Sequence, residues 1–395
     1  MKFTKNLLNS HQLSANAQLR KKFFKKCAAH IIITCATHCT DLQWTSAASV
    51  KESKDLQSVL CNACSVPSIR ELLIWDNSLD APEGDRVLTQ DVLSHVLKIL
   101  QPRLTKATWK GEPICRHVYK WCLMQMKHPH LGEHLDMVLP PALLFTDDYQ
   151  MHNKILGIEC LTHIITEVDA TELKWHNRAG VVYEAVHSQI YSNKAPLLDV
   201  VIPCILGILG VIEKSPKIAD GVRNVNRYDE VLQVLLMNMM GEQVIVLRRL
   251  YLRHVPLFVD KMGITIVRHI KPLLRIITSY IEVSDSQDEE GRLYTLHLIN
   301  CLIQAAGFRL PRHSDVLLKA LLKLLYDSCL QDFNSNQQVT TKIQLSVVDT
   351  LRNLQSVCYD SVNQNLKQVI KSEVKRVPRF IDYVKQVVGV SPAKL

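Results

Sequence analysis

The stretch Gly263-Ile264-Thr265-Ile266-Val267-Arg268-His269-Ile270-Lys271-Pro272-Leu273-Leu274-Arg275-Ile276-Ile277-Thr278-Ser279-Tyr280-Ile281-Glu282-Val283 decides the fold. Within it Val267, Ile270, Leu274, Ile277 and Ile281 recur at intervals of 3, 4, 3 and 4. That spacing puts one apolar stripe on one helix face and shows none of the alternation of a half-buried strand. Ile155, Ile158, Leu161 and Ile165 repeat the pattern in Asn153–Glu167.

From about residue 87 to 358 such segments follow one another across short polar breaks. Turns centred near Tyr149, Asn193, Gly241, Glu289 and Asn336 stand 44, 48, 48 and 47 residues apart. Further breaks near Thr171, Asn224, Gly263 and Arg312 divide each unit into two helices. An earlier unit runs from Val87 to Leu100 and from Glu112 to Lys127. A helical hairpin repeated at this period is the HEAT or armadillo signature. One hairpin has too little partner surface to bury its own stripe, and its stacked neighbour supplies the rest. The expected fold is therefore all-α, an α-solenoid of HEAT-like hairpins. Residues 86–360 form the array, 1–85 an atypical and partly helical segment, and 361–395 a basic helical tail. Pro140-Pro141 and Pro272 interrupt apolar helical patterns and predict bends. Pro140, Asp148 and Lys154 fall at the spacing of the Pro, Asp and Arg/Lys ladder of HEAT units.

Composition agrees. Gly (13) and Pro (15) fall below the usual ~7% and ~5%, which leaves few tight turns or phosphate-cradling loops. The net charge of +9 comes from one end, because residues 1–40 carry seven Lys or Arg and no acid. Beyond them 40 basic residues face 38 acidic ones, too even a balance for a phosphate-binding stripe. Direct nucleic-acid binding is not expected, although a basic-tail binder stays as an alternative. Twelve scattered cysteines without a framework fit a reducing compartment. No run approaches the ~20 apolar residues of a membrane span, and no membrane role is expected. Arg20–Lys26 followed by the apolar Cys27–Cys39 is read as a basic amphipathic first helix, with a mitochondrial presequence as the competing reading.

Candidate chemistry is sparse. His130-Leu131-Gly132-Glu133-His134 fits the H-x-x-E-H pattern of inverted zinc peptidases, which needs a rigid helix, two histidine ligands and a Glu base. Pro129 and Gly132 favour a polar loop entering a helix near Glu133 instead, and a zinc hydrolase is kept only as an alternative. Cys35, His38, Cys39 and the pair Cys61/Cys64 offer thiol and imidazole ligands, but the C-x-x-C lacks a second pair at finger spacing. No dinucleotide, Walker or nucleophile-elbow motif is present, and Gly207/Gly210 reads as close packing within an apolar helix. No enzyme activity, cofactor or metal is expected.

Arg248, Arg249, Tyr251, Arg253 and His254 share one helical segment with Leu247, Leu250 and Val255. Arg and Tyr are enriched at protein interfaces, which makes these five the candidate partner-binding residues. The alternatives are a solvated basic face or an Arg ladder between neighbouring repeats.

Three stretches carry a family resemblance. They are Leu131–Asp136 continuing through Leu139–Leu144 to Asp147–Tyr149 and Asn153–Gly157, then Val267–Lys271 through Tyr280–Val283, and Leu317–Leu324. Over about residues 110–390 the chain resembles the Tti-two family, the Tel-two-interacting subunit of the Triple-T complex. The resemblance implies a HEAT-like protein assembled with Tel-two and Tti-one homologues, a cochaperone of the Hsp-ninety system. It further implies phosphatidylinositol-3-kinase-related kinases as clients, the TOR and DNA-damage checkpoint kinases among them, and a cytoplasmic and nuclear location. It carries over no catalytic residue. A different HEAT-repeat adaptor, such as a transport receptor, is the runner-up; those arrays are usually longer and often strongly acidic.

Overall fold

The structure is a computed structural model that describes residues 17–64, 66–74, 91–214, 224–285, 288–330, 336–371 and 377–389. Among them there are eighteen α-helices and no strand. Contacts divide the chain into two units, Met1–Ser188 and Gln189–Leu395.

In the first unit, helices α1 (Ala17–His38) and α2 (Ala47–Cys64) form a hairpin, and the short α3 (Ile69–Leu73) leads towards α4 (Val92–Leu100). Then come α5 (Pro113–Gln125), α6 (Leu135–Thr146), α7 (Met151–Glu167), α8 (Ala170–Lys174) and α9 (Arg178–His187). The hairpins α4/α5 and α6/α7 stack through α5 on α7, and α1 lies against both α4 and α5. Asp91 starts α4 by accepting the Ser94 N–H, and Pro113 opens α5 where a missing N–H costs nothing. The core is aliphatic around Trp109, Tyr119 and Phe145, all buried and in ring contact.

The second unit is more regular. Helices α10 (Ala195–Ile212), α11 (Arg227–Gly241), α12 (Ile245–Met262), α13 (Ile270–Glu282), α14 (Glu290–Ala306), α15 (Ser314–Ser328), α16 (Gln337–Val357), α17 (Tyr359–Lys371) and α18 (Pro378–Val388) follow in order. One layer runs α11, α13, α15 and α17, each helix against the next; α10, α12, α14 and α16 run likewise in the other. This is the stacked-hairpin architecture that the repeat period predicts. Asn226 and Asp229 close a capping box on α11, and Asn336 caps α16. The predicted stripe is buried at Ile270, Leu274, Ile277 and Ile281.

Several expectations change. Gly263–Val283 is not one helix: Gly263–His269 winds as a 3-10 helix before α13 begins. Pro272 therefore sits in the first turn of α13, where its ring is tolerated, rather than bending a helix interior. Pro140 and Pro141 do lie inside α6, and Pro203 and Pro256 inside α10 and α12. Thr171 lies within α8, so that break falls on either side of a short helix. Residues 87–90 of the early unit, and the first sixteen residues of the basic segment, lie outside the described residues. Helix α10 is long and apolar enough to cross a membrane by length and composition, contrary to the expectation that no run approaches such a span. Its Leu197, Leu198, Val201, Ile202, Ile205 and Leu209 are buried, as in a core helix. Gly210 is no close-packing point, since a Cβ there would come no nearer than 3.9 Å to Tyr228 Oη.

Candidate functional site

The five candidate partner-binding residues all lie on α12, as the sequence places them, but the helix turns most of them inward. Tyr251 is 2% exposed and His254 7%. Burial pushes the Tyr251 hydroxyl above its ordinary range. His254 Nε2 lies 2.8 Å from Asp199 Oδ1 on α10, while its buried Nδ1 has no hydrogen-bond partner. Arg248 donates to the Glu242 carbonyl at 2.7 Å and to Gln243 Oε1 at 2.9 Å, and its guanidinium stacks 4.8 Å over the Tyr280 ring. Arg249 donates through Nε to Asp285 Oδ2 at 2.7 Å and through Nη1 to Glu290 at 3.0 Å. The hydrogen bond from Arg249 to Asp285 and the two nearby carboxylates hold the Arg249 pKa above its usual value. Only Arg253, its side chain 52% exposed and 3.5 Å from Asp199, projects from the surface.

These contacts belong to a wider scheme. Acids at the start of a helix are favoured by the helix dipole, and here each is gripped by a base from the following hairpin. Asp91 meets His134 Nε2 at 2.8 Å, Asp136 takes Arg178 at 2.6 Å, and Asp229 takes His269 at 2.8 Å and Arg268 at 2.9 Å. At the opposite helix ends, turn carboxylates reach back one hairpin. Asp148 Oδ1 lies 2.9 Å from Lys110 Nζ, and Asp285 meets Arg249. Lys110 is thus an ion-pair partner of the ladder aspartate. The turn at Asp285 is further fixed by Glu289, whose buried carboxylate accepts from Ser284 and Arg292 at 2.7 and 2.9 Å.

The catalytic decoys dissolve into the same framework. Gly132–His134 is a single 3-10 turn, so His130 and His134 do not stand on a rigid helix. His134 is instead occupied by Asp91 and, through Nδ1, by Ser94 Oγ at 3.4 Å. Ser94, His134 and Asp91 make a Ser–His–Asp constellation that the sequence reading missed, because its members are 40 and 43 residues apart. Ser94 is 6% exposed, and the arrangement ties α4 to the turn that leads into α6.

Cys35, Cys39 and Cys61 are buried, and burial pushes the Cys35 thiol up to about 12, far from a thiolate. Cys39 Sγ lies 3.9 Å from His117 Nε2. Among the described residues no group of three or more His, Cys, Asp or Glu side chains is arranged to hold a metal. Cys160 and Cys204 are buried, whereas Cys301 is half-buried with His297 Nε2 3.6 Å away.

Stacked hairpins tied repeat to repeat by polar contacts define a HEAT-like helical-repeat protein. A solved structure described as "Kap95p Binding Induces the Switch Loops of RanGDP to adopt the GTP-bound Conformation" contains a chain of like fold, with a TM-score of 0.55 at 10% identity. The match covers 94% of this chain and 48% of that one, and it shows the fold alone. The family model described as "Tti2 family" matches residues 31–286, and the chain belongs to that family. Human TELO2-interacting protein 2 is 35% identical over 367 residues, 92% of this chain and 70% of the human protein. The mouse protein of the same name is 39% identical over 298 residues, 75% of this chain and 56% of its own length. The rat relative, 36% identical over 316 residues, is covered over 60%. The chain thus spans between 56% and 70% of the curated relatives it matches.

Proposed function

We propose that this chain is a non-enzymatic scaffold subunit of a Triple-T complex, assembled with Tel-two and Tti-one homologues. In that complex it would support, with the Hsp-ninety system, the maturation and stability of phosphatidylinositol-3-kinase-related kinases in cytoplasm and nucleus. Family membership carries the reading, together with the name of the relatives, which records an interaction with TELO2. The architecture is consistent with it. A hairpin array offers an extended surface large enough for a standard interface of ~1,600 Å² without any catalytic pocket.

The experiment is affinity purification of the tagged chain at its natural level, followed by quantitative mass spectrometry. Tel-two and Tti-one homologues are expected at near-equal abundance with the bait. Their absence, with the bait soluble and intact, defeats the proposal.

A further inference from the structure

Between α4, the segment after it and α6 lies a groove enclosing about 340 Å³. Its floor is apolar, from Leu97, Leu104, Met137 and Leu144, and its rim carries Gln101 and Lys106. The wall formed by α6 presents Pro140 and Pro141. Neither proline has an N–H, so the carbonyls of Asp136 and Met137 lose the donor that a regular helix supplies four residues on. Those carbonyls belong to residues that line the same groove. One wall therefore combines greasy surface with two acceptors short of a helical donor, a combination that suits a ligand bearing both.

Charge narrows the class of ligand. The Asp136 carboxylate is already engaged by Arg178 at 2.6 Å. Lys106 has no ion pair among the described residues, and exposed Arg103, close by in sequence, reaches only Cys115 Sγ at 4.0 Å. Among the described residues the rim thus keeps one cation, Lys106, without an ion pair. The volume is at the small end of ligand pockets, which begin near ~300 Å³, and suits one or two side chains rather than a whole helix.

We propose that this groove docks a short extended segment of a partner protein, a bulky apolar side chain flanked by Asp or Glu. The apolar side chain fills the floor between Leu97 and Leu144. Backbone N–H groups of the segment donate to the Asp136 and Met137 carbonyls, and its carboxylate meets Lys106. The proposal does not depend on which complex the chain joins.

The test uses the full chain, immobilised, and a random twelve-residue peptide display library. Gln101 and Lys106 are exposed, so Gln101→Trp fills the groove from its rim and Lys106→Glu reverses the charge without touching the core. Enriched sequences are expected to pair a large apolar residue with an adjacent acid. Synthetic versions should bind by fluorescence anisotropy, about tenfold more weakly to either variant, the loss expected on removing one well-placed contact. Circular dichroism checks that each variant keeps its helices, and Lys106→Glu stands alone if the Trp variant does not. No enrichment, enrichment of Lys- or Arg-rich peptides, or binding to both variants as tight as to the native chain overturns the proposal. So does a groove that takes up an uncharged hydrophobic dye and ignores acidic peptides.

Discussion

His134 Nε2 lies 2.8 Å from the Asp91 carboxylate, and one imidazole ring thereby joins the start of α6 to the start of α4. Ser94 supports both, donating its N–H to Asp91 and meeting His134 through its hydroxyl. Replacing His134 by Ala strands a largely buried carboxylate. Its expected cost is ~1–3 kcal/mol, read as a lower urea midpoint. His130→Ala, on the half-buried outer end of the same motif, should leave the midpoint nearly unchanged. Equal effects of the two substitutions would contradict this assignment.

Acid should weaken the second unit through Asp229. Burial alone would raise its pKa, but the hydrogen bond from His269, the Asn226 N–H and the charge of Arg268 outweigh it and hold the carboxyl below the ordinary range. A depressed folded value means stability that is fully present above the unfolded pKa of ~3.9 and is lost as pH falls through the folded value. The stability difference between the native chain and Asp229→Asn should be constant near neutral pH and close below about pH 4. A gap that widened on acidification would reverse the sign and refute the assignment.

Two glycines should respond oppositely to alanine. A Cβ on Gly157 of α7 would stand 2.5 Å from the Thr146 backbone nitrogen and 2.8 Å from the Ala142 carbonyl oxygen, backbone atoms of α6 that cannot swing aside. Gly157→Ala is expected to destabilise by ~1–3 kcal/mol despite the better helix propensity of Ala. A Cβ on Gly241 meets nothing within 4 Å, and Gly241→Ala should be neutral or stabilising by up to ~1 kcal/mol. Thermal melts of the two variants decide the matter.

The basic residues of α12 separate structure from recognition. Arg249→Ala removes the cation that faces the buried Asp285, a loss of ~3–5 kcal/mol by the behaviour of broken buried pairs. Arg253→Ala touches only an exposed pair and should change stability by at most ~0.5 kcal/mol. A partner contact through α12 would then appear as weakened co-purification by the Arg253 variant at unchanged melting temperature.

The hairpin period was readable because aliphatic stripes must recur wherever a helix buries one face. Ile158, Leu161 and Ile165 are buried where the pattern puts them, and the turn at Asn193 lies between helices. The 3-10 winding of Gly263–His269 left no mark in that pattern, since both helix types place residues three apart on one side. Side-chain destinations were harder to read. Tyr251 and His254 look like interface residues in one dimension, and only the rotation of α12 against α10 shows that they face inward. A faint signal did exist, because the ties from His134, Arg178 and His269 reach back 43, 42 and 40 residues, close to one repeat. Searching for an acid and a base one period apart would have found them.

Helix α10 also has a history before the fold is complete. Its Asp199 waits for His254, 55 residues later in the chain, and much of its apolar face waits for the same helix. At a synthesis rate of ~5–20 residues per second, that is an interval of roughly 3–11 seconds on the ribosome. For those seconds the nascent chain displays a segment with the length and greasiness of a bilayer anchor. How long it stays uncovered is set by how quickly α12 emerges to claim it.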